Sequence, residues 1–223
     1  MDYGTIDRDL AMRLATWPEE TDGPVLMVNL MRYRDVARYS TDGHPNDGDE
    51  AISGREADDR YAPIDVLDKI GARPVYFGDV AGVEDDRDVR WDRVGIVRYA
   101  TRRSFIEMQS REDFRAKRVH KDAGMAFTIV MPSIPARRAM ETDPTVRVTS
   151  LVVWPRGGDV PDVTGAAIVL EVEGRIIGDE REWDAITLHH GDDVVPHPHG
   201  GIVLRMGPVM IDELAQVVAD WVG

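Results

Sequence analysis

Six histidines are the readiest proton carriers in this 223-residue chain, and they are unevenly spread. His120 stands alone in RAKRVHKD, just ahead of MAFTIVMP, an apolar run of strand length. An imidazole titrates near ~6.5, so at such a junction it can act as a general acid or base. In so charged a stretch it can equally be a surface residue. Arg98 lies in WDRVGIVRYA, where strand alternation groups it with Asp92, Val94 and Ile96. Either it snorkels from a mostly apolar face or its planar fork binds a carboxylate or enolate. Tyr99 follows on the same strand as a further binding candidate. Asn29 interrupts the apolar run VLMVNLMRY, and a buried amide must find hydrogen-bond partners in nearby backbone or in a polar cavity. Tyr61, on a helical stripe, either hydrogen-bonds a ligand or packs in the core. Asn29, Tyr61, Arg98 and His120 together suit a pocket for an oxygenated small organic molecule.

Four of the six histidines, His189, His190, His197 and His199, crowd one C-terminal stretch around Asp192 and Asp193. In extended chain His197 and His199 share a side, and two imidazoles with a carboxylate suit zinc or iron(II). Adjacent His189 and His190 point to opposite faces of a strand, so all four do not converge, and HPHGG is also a turn composition. There is no cysteine, which excludes disulfides, thiolate metal sites and a cysteine nucleophile. Glycine-rich phosphate loops, HExxH, GxSxG and dinucleotide fingerprints are absent, which argues against ATP or NAD chemistry. No organic cofactor is expected.

The elements that must carry these side chains follow from periodicity. Residues 2–16 form an amphipathic helix ended by Trp17-Pro18, and VLMVNLMRY is a strand buried on both faces. Residues 34–54, with His44, read as a long loop, either a lid or a mobile segment. A helix spans about residues 56–70, with Pro63 tolerable only in its first turn. RPVYFGDVAG and WDRVGIVRYA are strands, Thr101 caps a helix, Ser110 to Ala123 is helical or turn-like, and MAFTIVMP is the fourth strand. This order is β-α-β-β-α-β, the ferredoxin-like arrangement, over residues 20–138. A charged linker at Ala136–Pro144 leads to VRVTSLVVW, AAIVLEVEGRIIG, EWDAITLHH, GGIVLRMG and a final helix. Residues 145–223 are then a smaller acidic sheet-and-helix domain. REWDAITLHH echoes VRWDRVGIVRY, so that domain is either an eroded second copy covering the first sheet's open face or an ordinary small α+β domain.

Net charge is −14, of which −10 lies from Glu141 onward. Such an acidic surface repels phosphate backbones and gives no support to nucleic-acid binding. No apolar run approaches the roughly 18–20 residues that span a bilayer, and no signal-peptide core opens the chain. The expectation is a cytoplasmic protein with neither nucleic-acid nor membrane partners.

VNLMRY, a tyrosine-bearing helix, GARPVYFGDV, WDRVGIVRYATRRSFIEM and HKDAGMAFTIVMP, in that order, resemble an uncharacterised bacterial family (a domain of unknown function) of the dimeric α+β barrel superfamily. The resemblance covers roughly residues 24–135. It implies a ferredoxin-like unit whose open sheet face pairs with another, as a homodimer or as a monomer imitating one. The superfamily includes cofactor-free monooxygenases, lactone isomerases, stress-induced proteins and haem enzymes, so fold alone does not fix function. The function expected is a small-molecule enzyme acting on a polyketide-like or aromatic compound by proton transfer, cyclisation or oxygenation. His120 would move the proton, Arg98 and Asn29 would hold negative charge, and Tyr61 would orient the ligand. The rival expectations are a non-catalytic ligand-binding or stress-related module and a metalloprotein centred on His197 and His199.

Overall fold

The computed structural model describes residues 3–39, 51–87, 89–136, 147–158, 166–191 and 195–222. The elements in the first half are β1 (Thr5–Ile6), α1 (Arg8–Ala15), β2 (Val25–Tyr33), α2 (Gly54–Tyr61) and α3 (Ile64–Lys69). Then come β3 (Arg73–Asp85), β4 (Arg93–Tyr99), α4 (Arg102–Ser110), α5 (Glu112–Gly124) and β5 (Met125–Pro135). The second half supplies β6 (Val148–Pro155), β7 (Ala166–Val172), β8 (Ile177–Gly178), β9 (Trp183–His190), β10 (Ile202–Asp212) and α6 (Leu214–Val222).

Local chemistry sets the helix limits. Asp7 caps α1 by accepting from the Leu10 N–H, and the helix buries Leu10 and Leu14. Ser53 and Glu56 form a reciprocal capping box on α2, as Thr101 and Ser104 do on α4. The single helix expected over 56–70 is two, because Pro63 has no N–H and breaks the run between α2 and α3.

Eight strands pair in the order β5-β2-β4-β3-β10-β6-β9-β7, and β7 returns to β5 through Ser133↔Val172, Ile134↔Glu171 and Pro135↔Leu170. The result is a closed antiparallel barrel, with the short β1 and β8 paired outside it beside β5. One parity of every strand fills the interior: Leu26, Val28 and Leu30 of β2, Val94 and Ile96 of β4, Leu151 and Val153 of β6, Ile186 and Leu188 of β9. An eight-stranded barrel is just wide enough for side chains to close its centre. Leu214, Val217 and Val218 of α6 join the same cluster.

This architecture corrects the ferredoxin-like α+β expectation. The chain is not a βαββαβ unit of the dimeric α+β barrel type with a separate small sheet-and-helix domain. Segments 20–138 and 145–223 each lend four strands to one barrel. The physical reason is edge pairing. An open sheet would leave the backbone donors and acceptors of β3 and β5 without partners. Instead β10 pairs along β3 from Ile202↔Asp85 to Asp212↔Tyr76, and β7 covers the end of β5. Alternation in the sequence shows which face of a strand is apolar but not which distant edge it meets. His44 and residues 40–50 of the long loop, and linker residues 137–146, lie outside the described residues. Among the described residues no helix is long and apolar enough to cross a membrane.

Charge pairs fasten the two halves. Arg181, before β9, bonds both carboxylate oxygens of Asp85 at the end of β3, at 3.2 and 3.1 Å. Asp85, whose side chain is 1% exposed, also accepts from Trp91 Nε1. At the other end Arg102 forms a two-point ion pair with Glu173 and stacks over Trp17. Removing one partner of such a pair strands a buried charge, which costs about 3–5 kcal/mol. Arg181→Met is therefore expected to lower unfolding stability in urea by about 3 kcal/mol. Adding Asp85→Asn should restore much of the loss. A single-variant loss below about 1 kcal/mol would show the pair to be dispensable.

Candidate functional site

The strands that fill the barrel with one parity turn the other toward a layer of helices. Met27, Asn29 and Met31 of β2 and Gly95, Val97 and Tyr99 of β4 form the floor of a cavity of ≈ 290 Å³. Its roof and walls come from Tyr61, Leu67, Phe105, Met108 and Phe114 on α2 through α5. The lining is mostly apolar, with polar groups contributed chiefly by α2 and α5.

A backbone-to-backbone contact brings those two helices together. Gly54, the first residue of α2, faces Gly124, the last of α5. A Cβ on Gly54 would lie 2.4 Å from the Gly124 carbonyl oxygen, and one on Gly124 would lie 2.3 Å from that of Gly54. No other residue fits there without moving a helix. Arg34 seals the junction, donating its N–H to the Gly124 carbonyl and accepting from Gly54 N–H, each at 2.9 Å. From this crossing Asp58 and Tyr61 on α2, and Phe114, Arg118 and Lys121 on α5, project to the cavity.

Asp58 is buried, and its Oδ2 accepts from the Tyr33 hydroxyl at 2.5 Å. Arg93, also buried, stands 3.6 Å from the same oxygen but is engaged elsewhere. It donates to Asp79 at 3.0 Å and to Asp59 at 2.8 Å, with its guanidinium 4.7 Å above the Phe77 ring. Burial pushes the Asp58 carboxyl above the usual carboxylate range, against the opposing pull of Lys121, the Tyr33 hydrogen bond and Arg93. Burial likewise lowers the Lys121 ammonium, with Asp58 acting the other way. Tyr61 is held well above its ordinary value by burial and by the neighbouring Tyr99 and Asp58. Lys121 Nζ sits 5.3 Å from the centre of the Tyr61 ring. Tyr3 donates to Asp122 at 2.8 Å, and Asp122 in turn receives Arg118 at 3.4 Å.

Three of the five residues singled out from sequence meet here. Asn29, Tyr61 and Tyr99 line the cavity. Asn29 donates to the Met27 and Gly95 carbonyls at 2.9 and 3.3 Å, so its amide ties down backbone while facing the cavity. Tyr99 directs its hydroxyl at the Met108 sulfur, 3.6 Å away. His120 and Arg98 are not in the lining. His120 lies within α5, with Nδ1 2.9 Å from the Tyr39 hydroxyl. Arg98 has the barrel-interior parity of Val94 and Ile96 and reaches Trp221 of α6, 5.9 Å from its ring centre. His197 and His199 both approach Asp86, at 3.9 and 3.4 Å, and His199 is fully exposed. Asp192 and Asp193 lie outside the described residues. Among the described residues no group of three or more such side chains has a metal-holding arrangement.

Asp58, Lys121, Arg93 and Tyr33 were missed by sequence reasoning. The available signal was spacing: Phe114, Arg118 and Lys121 recur at i, i+4 and i+7, and Asp58 and Tyr61 at i and i+3. Charged side chains in such a pattern ordinarily mark the solvent face.

No family model and no curated protein matches this chain. Two solved structures of the RPA0582 protein are similar to it, each with a TM-score of 0.47. The methylated form is 26% identical, over 59% of this chain and 94% of that one. The other, from Rhodopseudomonas palustris and described as a protein of unknown function, is 22% identical over 59% and 95%.

The raised Asp58 carboxyl has a pH signature. Unfolded, it titrates near ~3.9, so as pH rises above that the native state keeps a proton the unfolded chain releases. Its contribution favours the fold at acid pH and is lost as pH climbs through the raised value. Asp58→Asn keeps an acceptor for Tyr33 and removes that dependence. In urea unfolding between about pH 4 and about pH 7 the variant should gain on the wild type as pH rises. A constant difference between the two would mean that Asp58 titrates alike in both states.

Proposed function

We propose that this protein is a small-molecule enzyme acting on a largely apolar, oxygenated compound held in the cavity between barrel and helices. The observation that carries the reading is an apolar chamber whose polar wall presents a carboxyl, an amine and a phenol. Ligand sites are commonly concave, mostly apolar and furnished with a few convergent polar groups. Groups with environment-shifted protonation are those that acid–base chemistry uses. Asp58 and Lys121 are pushed toward neutrality, which suits them to exchange a proton with a bound carbon acid or enol. Lys121 and the Tyr61 hydroxyl would hold the oxygen on which charge develops. His120 and Arg98, outside the lining, take no part in this reading.

A binding-only role is favoured by one observation: Asp58 Oδ2 is already engaged by Tyr33 and lies beside Arg93, which suits a structural carboxyl. The two readings separate in deuterated water. Oxygenated aromatic and short aliphatic ketones and acids would first be screened for protection against thermal unfolding. A ligand at a hundred times its Kd adds about 2.7 kcal/mol. Val97→Phe, which fills the cavity floor, should abolish that protection. Bound compounds would then be followed by NMR for solvent deuterium entering carbon next to the carbonyl. Asp58→Asn should slow exchange by roughly a hundredfold or more. Protection without exchange in the wild type would establish the binding-only role.

A further inference from the structure

Among the described residues, the cavity wall holds one amine without a hydrogen-bond or ion-pair partner. Each other basic group at the polar wall has a carboxylate within ion-pair distance. Arg93 has Asp58, Asp59 and Asp79, Arg55 shares Asp79, and Arg118 has Asp122. Lys121 makes no hydrogen bond or ion pair among the described residues; its ammonium rests against the Tyr61 ring. The Tyr61 hydroxyl and the Gln109 amide, both on the lining, likewise have no hydrogen-bond partner among the described residues. Asp58 and Asp122 act on Lys121 electrostatically from beyond ion-pair distance, and Asp58 accepts at Oδ2 from the Tyr33 hydroxyl. An amine and a phenol left as donors in an apolar chamber describe the complement of an oxygen anion.

We propose that the cavity takes a monocarboxylate built on a single ring or a short chain, with its carboxylate received by Lys121 and the Tyr61 hydroxyl. This rests on the cavity being the ligand site. The carboxylate follows from the donors: an amine beside a phenol, neither with a hydrogen-bond partner among the described residues, offers one donor to each oxygen of a single carboxylate. The size follows from the volume: ≈ 290 Å³ is at the small end of the ~300–1,000 Å³ of ligand pockets. The apolar body would lie against Met27, Val97, Phe105 and Phe114, which line the same space. Tyr61 and Phe114 meet edge to face on that lining, with ring centres 6.0 Å apart.

Two probes of nearly equal shape test the charge, 4-ethylbenzoate and 4-ethylbenzamide, titrated calorimetrically at neutral pH into wild type, Lys121→Met and Val97→Phe. A carboxylate entering an apolar chamber without a waiting cation binds worse than the amide, because it sheds more water. The expected result is the reverse: the acid binds roughly tenfold to a hundredfold tighter than the amide. Lys121→Met should erase that preference by weakening the acid far more than the amide, and a cooperative urea unfolding transition like that of wild type shows the variant folded. Val97→Phe should weaken both probes. Equal binding of acid and amide to wild type, or an acid preference that survives Lys121→Met, overturns the assignment of an anion to Lys121 and leaves the cavity as the ligand site. Failure of both probes, or binding indifferent to Val97→Phe, overturns the inference together with the cavity reading.

Discussion

The closure of the sheet on itself governs everything else in this molecule. Backbone groups on the edges of β3 and β5 need partners, and β10 and β7 supply them from the far half of the chain. Closure commits one parity of each strand to the barrel interior, where Leu26, Val28, Leu30, Val94 and Ile96 are packed to near-zero exposure. The opposite parity of β2 and β4 is then free to become a wall. The cavity floor is thus set by the same alternation that fills the barrel, and Asn29 faces outward because Val28 and Leu30 face in.

A second constraint places the chemistry on that wall. The contact of Gly54 with Gly124 sets how α2 crosses α5, and through that crossing the position of Asp58 relative to Lys121. Arg93 anchors the arrangement from the sheet side, bound to Asp79 on β3 and to Asp59 on α2. Its charge is balanced by those two acids, so Asp58 sits close to a guanidinium already engaged with others. The low polarity around Asp58 therefore outweighs the nearby positive charge.

Much of this was legible in the sequence, and what was not has identifiable causes. VLMVNLMRY is β2 residue for residue, Thr101 is the cap of α4, and Asn29, Tyr61 and Tyr99 lie on one cavity. These are local signals, carried by alternation and capping chemistry. The architecture is not legible there, because strand pairing between Ile202 and Asp85, or Val172 and Ser133, leaves no local trace. His120 stands apart from the other histidines in the sequence, yet helical geometry turns it toward Tyr39 and turns the next residue, Lys121, toward the cavity. Arg98 shares the parity of Val94 and Ile96, and closure of the barrel gives that parity to the interior. Asp58 and Lys121 carry no local mark, since a charged residue at helical spacing reads as solvent-facing until the fold turns it to the cavity.

The interleaving of the two halves also constrains how the chain comes to be folded. When synthesis has passed β5, four strands are available but both outer edges of their sheet still await strands from residues 166–212. Asp212 meets Tyr76 across more than a hundred intervening positions, so that pairing cannot be completed until residue 212 has left the ribosome. A nascent chain in that interval exposes two strand edges and the apolar parity of β2 and β4, the surface on which aggregation and chaperone capture act. The same closure that protects the finished barrel makes its half-made form the vulnerable species in the protein's life.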